Sequence, residues 1–159
     1  MEYKELLEAF AAKFGIAGLE ITDDFTAIDV DGVLVGFVND DNSRSLAVTV
    51  QIGNPPPDAN GKFGEIMLKA NWLFRATGGA TLCQNPETDA FALEQNFTLA
   101  ELDADSLSAA VERLVNEAER WHEIVLGFRE AESTAKEQDD EAASMNSLSS
   151  PFSGGFMQV

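Results

Sequence analysis

The chain has 159 residues, 45% of them hydrophobic and 24% charged, which suits one globular domain that buries its own core without disulfides or metals. Its 28 acidic and 10 basic residues give a net charge of -18 and a pI near 4.1. Such a surface repels phosphate backbones and anionic lipid headgroups, so we expect neither nucleic acid nor a membrane as a partner. A basic peptide or a basic protein is favoured instead.

The first half of the chain predicts one helix and three strands. Apolar residues recur with helical spacing over residues 3–14, and Gly15 is a suitable C-cap. The spacing then changes to alternation, and Asp31-Gly32 between two apolar runs is typical of a type I′ hairpin. The predicted strands are residues 25–30, 33–38 and 46–52.

The second half predicts a loop, a helix, two strands and a long final helix. Three consecutive prolines place residues 53–61 in a loop. A helix is expected from about Lys62 to Thr77, where Gly78-Gly79 ends it. Strands near residues 80–84 and 90–97 follow, and the last helix begins near Asp103 or Asp105 and runs to about Phe128. Its apolar stripe is Leu107, Val111, Leu114, Ala118, Trp121, Val125 and Phe128.

The element order is therefore α-β-β-β-α-β-β-α. This order predicts the α+β class, an antiparallel twisted sheet with helices packed on it. Residues 1–130 form the predicted domain. Residues 131–159 are polar and acidic, and we expect a flexible tail after a fraying helix end. Phe152 and Phe156 in that tail are either stray apolar residues or a short docking motif.

The predicted middle helix has two apolar faces. Phe63, Ile66, Met67, Ala70, Leu73 and Phe74 share the face expected to pack on the core. Leu68 and Trp72 lie four residues apart on the opposite side. Burying each large side chain would stabilise the protein by about 1.5–3 kcal/mol. Either a second copy covers the pair in a homodimer, or the loop at residues 53–61 folds over it.

No catalytic, cofactor-binding or metal-binding constellation is recognisable in the sequence. His122 is the only histidine and is expected to be an exposed imidazole, because it lies beside the apolar stripe. Cys83 is the only cysteine, which excludes an intramolecular disulfide and fits a reducing cytoplasm; we expect a buried, inert thiol. The N-terminus lacks the pattern of a secretory signal, and no apolar run approaches the length of a membrane span. An enzyme is therefore not expected.

Three stretches carry a pattern typical of one family, and they are "LLEAFAAKFGI", "LKANWLFRATGGATLC" and "FALEQNFTLAELDADSLSAAVERLVNEAERW". Together they resemble the Tir-chaperone family, the class I chaperones of bacterial type III secretion. The resemblance implies a cytoplasmic homodimer whose middle helix contributes Leu68 and Trp72 to the interface. It also implies binding of the N-terminal segment of a secreted effector, held extended and presented to the export apparatus without ATP.

Grooves between the first helix and the strands, together with a free strand edge, are the expected binding surface for such an effector segment. The candidate residues are Phe10, Phe14, Ile16, Leu19, Ile21, Phe25, Val33, Val35 and Phe37. The alternative function is that of a small acidic adaptor or regulatory domain with the same fold and no role in secretion.

Overall fold

The computed structural model of the chain describes residues 2–148, apart from the side chains of residues 58, 132, 133 and 139–148. Its three helices are α1 (Tyr3–Phe14), α2 (Asn60–Asn71) and α3 (Ala104–Leu148), and its five strands are β1 (Phe25–Val30), β2 (Val33–Asp40), β3 (Ser45–Gly53), β4 (Thr81–Gln84) and β5 (Phe91–Thr98). Short 3-10 turns occupy Pro57–Ala59, Trp72–Phe74 and Leu99–Glu101. The predicted α+β class and the predicted order of helices and strands are confirmed.

The five strands form one antiparallel sheet in the order β1-β2-β3-β5-β4. Asp31 and Gly32 join β1 to β2 with φ of 53° and 86°, as the predicted type I′ turn requires. Side chains of alternating residues on β2, β3 and β5 build the buried face of the sheet, and they are Val35, Phe37, Val48, Val50, Phe91 and Leu93. β1 and β4 are the two edges of the sheet.

The helices pack on this buried face. Phe10 of α1 contacts Phe37 edge-to-face with ring centroids 5.5 Å apart, and Phe63 of α2 contacts Phe91 and Trp121 at 4.9 and 6.4 Å. α3 crosses the sheet with its predicted stripe inward, since Leu107, Leu114 and Val125 are fully buried. The other face of the sheet presents Phe25, Ala27, Asp29, Leu34 and Val38 to solvent.

The middle helix is shorter than predicted. It ends at Asn71 instead of Thr77, and a 3-10 turn follows in which Leu73 and Phe74 have φ of 57° and 54°. Because the helix has ended, these two side chains do not reach the predicted core face and are 58% and 50% exposed. The expectation that they pack with Phe63 and Met67 is wrong.

The last helix is longer than predicted. Asp103 caps it, accepting a 2.8 Å hydrogen bond from the Ser106 amide while its own amide donates to the Ser106 hydroxyl. The helix continues past Phe128 to Leu148, so the predicted end near Phe128 is wrong. Residues 129–148 contain no Gly or Pro and are rich in good helix formers, and extending an existing helix needs no new nucleus. The domain boundary proposed at residue 130 therefore falls inside α3, and Phe152 and Phe156 lie outside the described residues.

Candidate functional site

One edge of the sheet is closed by a side chain. The Asn71 carboxamide, at the last residue of α2, accepts a 2.8 Å hydrogen bond from the Leu82 amide and donates one of 3.1 Å to the Leu82 carbonyl. Leu82 lies in β4, and these are the backbone groups that a further strand would use. The asparagine therefore occupies the edge of β4, and its polar atoms are satisfied by the same contacts.

The other edge, β1, is open. The Asn39 amide donates to the Asp24 carbonyl at 2.9 Å. With the strand register, this bond identifies which residues of β1 form hydrogen bonds to β2. In an antiparallel pair, alternate residues then direct their amides and carbonyls away from the partner strand, and on β1 these are Phe25, Ala27 and Asp29. The Thr22 hydroxyl already bonds the amide and the carbonyl of Phe25. Ala27 and Asp29 are exposed and offer their backbone groups at this edge.

An apolar groove of about 280 Å³ lies beside this open edge. It is formed where the end of α1, strand β1 and the middle of α3 meet, and its apolar lining is Phe10, Phe14, Ile16, Ile28, Val30, Val111 and Val115. Phe14 is 54% exposed and its ring centroid lies 4.8 Å from that of the buried Phe10. The groove therefore has a fixed apolar floor and one aromatic wall that is accessible to a ligand.

Carboxylates surround the groove. Asp31, Glu112 and Glu119 line it together with the apolar residues, and all three are exposed. A larger depression of about 790 Å³ shares Asp31 and Glu119 with it and continues toward His122. His122 is exposed, as predicted, and its Nδ1 lies 3.0 Å from the Ile52 carbonyl oxygen. The combined surface suits an extended segment that carries both apolar and basic side chains.

The nine residues predicted to bind an effector do not form one surface. Phe14 and Ile16 line the groove above Phe10, while Leu19, Ile21 and Val33 are partly buried against the core. Phe10, Val35 and Phe37 are 1%, 0% and 0% exposed, because α1 packs directly over β2, so they support the groove from within. Phe25 lies on the opposite face of the sheet from the groove.

The surface predicted from the sequence does not include Ile28, Val30, Val111 and Val115, which also line the groove. The alternation of β1 indicates Ile28 and Val30, because both lie on the same face of the strand as Thr26. Thr26 is buried beneath Tyr3. Val111 was assigned only to the core stripe of α3, and Val115 lies one turn beyond it. Only the packing of α1 beside α3 brings these four residues together.

The second apolar surface lies where α2 ends. Leu68 and Trp72 are each 75% exposed, and the adjacent Leu73 and Phe74 enlarge the patch that they form. The alternative in which the loop at residues 53–61 covers the pair is wrong. The start of that loop is held at α3 instead, because the Asn54 carbonyl accepts a 2.8 Å hydrogen bond from Arg129 Nη2.

The surroundings of Cys83 disfavour the reactive thiolate form of its side chain. Burial raises the pKa of the Cys83 thiol to about 11, with a smaller contribution from Glu94, and the thiol donates to the Ala92 carbonyl. Among the side chains that the structure describes, no group of three or more from His, Cys, Asp or Glu could hold a metal ion. In the same part of the chain, no helix combines the length and apolarity needed to cross a bilayer.

This antiparallel sheet with helices on one face is a fold that the chain shares with a solved type III secretion chaperone. The chain belongs to the Tir chaperone protein (CesT) family, whose model matches residues 5–122. It is 26% identical over 121 residues to the Tir chaperone of Citrobacter freundii, an alignment that covers 76% of this chain and 77% of that protein.

Solved structures of protein complexes, two of which are named as chaperone complexes, share the fold. The ExsC–ExsE complex matches with a TM-score of 0.66 and 17% identity, covering 79% of this chain and 97% of the matched chain. The HopA1–SchA chaperone–effector complex matches with a TM-score of 0.63 and 18% identity over 76% of this chain and 93% of the other. The Yersinia pestis type III secretion chaperone SycH, in complex with a stable fragment of YscM2, gives 0.57 and 19% over 73% and 96%. The matched family and two of these three neighbours are named as chaperones.

Proposed function

We propose that this protein is a cytoplasmic type III secretion chaperone in bacteria. As a homodimer it binds the N-terminal segment of a secreted effector in extended form and keeps that segment soluble and competent for export without ATP. The observation that carries the proposal is the open β1 edge directly beside an apolar, acid-rimmed groove. Family membership supports the same reading.

Backbone hydrogen bonds at the β1 edge provide affinity for extended segments of many different sequences. Ala27 and Asp29 direct backbone amides and carbonyls outward, and an incoming extended segment can satisfy all of them as an additional strand. Because Asn71 closes β4, the edge of β1 is the one available among the described residues. The effector segment therefore joins the sheet beside β1 and not beside β4.

The groove supplies selectivity. Apolar side chains on one face of the added strand reach Phe14 and Ile16 and displace water from their exposed surface. Burial of each large side chain contributes about 1.5–3 kcal/mol before the cost of ordering the segment is subtracted. Lys or Arg neighbours of those side chains pair with Asp31, Glu112 and Glu119, and the net charge of -18 speeds their encounter.

The homodimer is proposed on the patch of Leu68, Trp72, Leu73 and Phe74. Residues 66–79 contain Lys69 and Arg75, and the adjacent Glu65 is paired with Lys69 at 2.6 Å, in a chain with 28 acidic residues. Two copies can therefore approach through this stretch with less of the acid–acid repulsion that opposes contact elsewhere. A two-fold interface is self-complementary, so Trp72 of each copy finds an apolar surface on the other.

A paired substitution in β1 tests the effector site. Ala27→Pro removes the outward amide and adds a ring at the edge, while the amides of Thr26 and Ile28 that face β2 remain. Ala27→Ser is the control, since it keeps the amide and adds only a hydroxyl group. In the source bacterium, deletion of the gene should abolish type III secretion of one or a few effectors.

The wild type and the Ala27→Ser variant should restore that secretion, and Ala27→Pro should not. All three proteins must first give the same circular dichroism spectrum. Secretion that is unchanged by deletion would contradict the chaperone proposal and favour the adaptor alternative. Restoration by Ala27→Pro would instead contradict only the assignment of the β1 edge.

A further inference from the structure

Strand β1 has two faces, and only one of them belongs to the groove. Ile28 and Val30 line the groove, whereas Phe25, Ala27 and Asp29 point to the helix-free face of the sheet. Side chains of an added strand alternate between the same two faces. Half of the side chains of any bound segment therefore lie outside the groove, against a surface that has its own chemistry.

This second surface has an apolar centre. Phe25, Leu34 and Val38 are 48%, 47% and 38% exposed on the helix-free face, where Phe25 pairs with Val38 across β1 and β2. The ring of Phe25 lies across Gly36: a Cβ at that glycine would be 2.8 Å from Phe25 Cε2 and 2.7 Å from Thr49 Cγ2. Gly36 therefore provides the space in which the ring lies against the sheet with its outer face in solvent.

Ala27 makes the ring accessible from the open edge. It lies between Phe25 and Asp29 on this face, pairs with Gly36, and carries only a methyl group. A large side chain placed opposite Ala27 on an added strand can lean across that methyl group onto the ring of Phe25. Neighbouring strands place such cross-strand and diagonal side chains within contact distance.

Carboxylates lie at both ends of this strand. Asp23 and Asp24 precede Phe25, and Asp29 and Asp31 flank the other end. Asp23 pairs with Lys4 at 2.7 Å, and one oxygen of Asp29 accepts from the Gly32 amide at 2.8 Å. A second copy of this face would bring like charges together, so the charge favours an occupant that carries Lys or Arg.

We propose that the helix-free face of β1 is a second recognition surface for the bound segment. The inference rests on the proposed function and adds the chemistry of the segment: an extended strand that is apolar on both faces at its centre, with Lys or Arg toward its ends. The inward side chains enter the groove, and the outward ones pack on Phe25. An ordinary amphipathic strand, apolar on one face alone, fills only the groove.

Three designed peptides of ten residues, each with a fluorescent label, test whether the bound segment is recognised on both faces of β1 or by the groove alone. The first has Ile at inward and outward central positions with Arg at both ends. The second replaces the outward Ile residues by Ser, and the third keeps them but has Glu at both ends. Fluorescence anisotropy gives the Kd of each peptide for the full-length wild type, for Phe25→Ser and for Ile124→Ser, a control with an exposed apolar residue on α3.

The wild type and the Ile124→Ser variant should bind the first peptide about tenfold more tightly than the second, and Phe25→Ser should remove that difference. Asp29→Asn, which retains the oxygen bonded to Gly32, should reduce the preference for Arg ends over Glu ends. Equal binding of the first two peptides by the wild type, or equal weakening of both by Phe25→Ser, would overturn the second surface and leave the groove intact. If no peptide binds the wild type, both the β1-edge site and this inference fail.

Discussion

The Asn71 side chain closes the β4 edge, because its carboxamide makes the hydrogen bonds that a neighbouring strand would make. Its amide group reaches both backbone groups of Leu82, and it also stands at the last residue of α2. The sequence shows this asparagine directly before Trp72, but only the contact explains its position. A single residue thus ends a helix, protects an edge and leaves β1 as the open side of the sheet.

Replacing Asn71 by Ala should lower the free energy of unfolding by about 1–3 kcal/mol, because two hydrogen bonds are lost and the Leu82 groups are left without them. Asn96→Ala, an exposed position on β5, is the matched control and should change little. Urea unfolding followed by circular dichroism measures both. A loss for Asn71→Ala no larger than that of the control would show that β4 does not depend on this contact.

The Cys83 thiol should be protected from alkylation in the folded protein. Burial raises its folded pKa to about 11, whereas an unfolded cysteine titrates near 8.5. Since the thiolate is the reactive form, native protein at pH 8 should react with iodoacetamide far more slowly than protein in urea.

The raised Cys83 pKa also favours folding below the unfolded pKa, and this contribution is lost as pH rises from about 8.5 toward 11. A Cys83→Ala variant should therefore show a smaller loss of stability over that range. Equal alkylation rates in native and unfolded protein, or an identical alkaline profile for the variant, would contradict this environment.

Helix α2 differs most from the structure that its apolar spacing in the sequence predicts. Its apolar spacing continues to Phe74, yet the helix ends at Asn71 and the next turn holds Leu73 and Phe74 at positive φ. Such a conformation costs a non-glycine residue about 1–2 kcal/mol. The contacts of Asn71 with Leu82, and a hydrogen bond from the Gly79 amide to the Phe74 carbonyl, hold this turn in place.

We expect Leu73→Asn to weaken self-association while leaving the monomer as stable or slightly more stable. Asparagine tolerates left-handed backbone better than leucine, and the substitution removes an apolar side chain that is 58% exposed. Sedimentation velocity over a dilution series measures the first effect and urea unfolding the second. A variant that is destabilised by more than about 1 kcal/mol with unchanged association would indicate that Leu73 packs within its own chain.

At the scale of the whole molecule, charge and apolar surface are distributed unequally. Carboxylates surround the groove and the ends of β1, while the patch at the end of α2 is accompanied by Lys69 and Arg75, with Glu65 paired to Lys69. The first region favours a basic partner, and the second permits a second copy. The proposed client surface and the proposed dimer surface are therefore separate regions of one small domain.

Light scattering at low micromolar concentration should give the wild type a mass of twice 17.2 kDa. Trp72→Glu should give a folded monomer, because a charge at a buried interface is costly when it has no partner. Ile124→Glu, a charge at an exposed position of α3, should remain dimeric. A monomeric wild type, or a dimeric Trp72→Glu variant, would contradict the proposed interface.

The sequence by itself determined what short-range physics controls. Alternation, helical spacing, Asp31-Gly32 and the capping residues Gly15 and Asp103 act over a few positions, and they were sufficient for the order of the elements and the fold class. The off-core position of Leu68 and Trp72 followed from the same spacing. The absence of an apolar face after Phe128 misled the prediction of α3, because a helix already nucleated propagates on propensity alone.

Only the tertiary structure decided which edge of the sheet is open and which apolar residues reach the surface. Both depend on contacts between residues far apart in the chain, such as Asn71 with Leu82 and Phe10 with Phe37. Apolar spacing predicts which face of an element is buried but not which other element covers it. Phe37 and Phe14 therefore look alike in the sequence, although Phe37 is buried and Phe14 is half exposed. The groove arises where α1, β1 and α3 meet, and no local pattern encodes that junction.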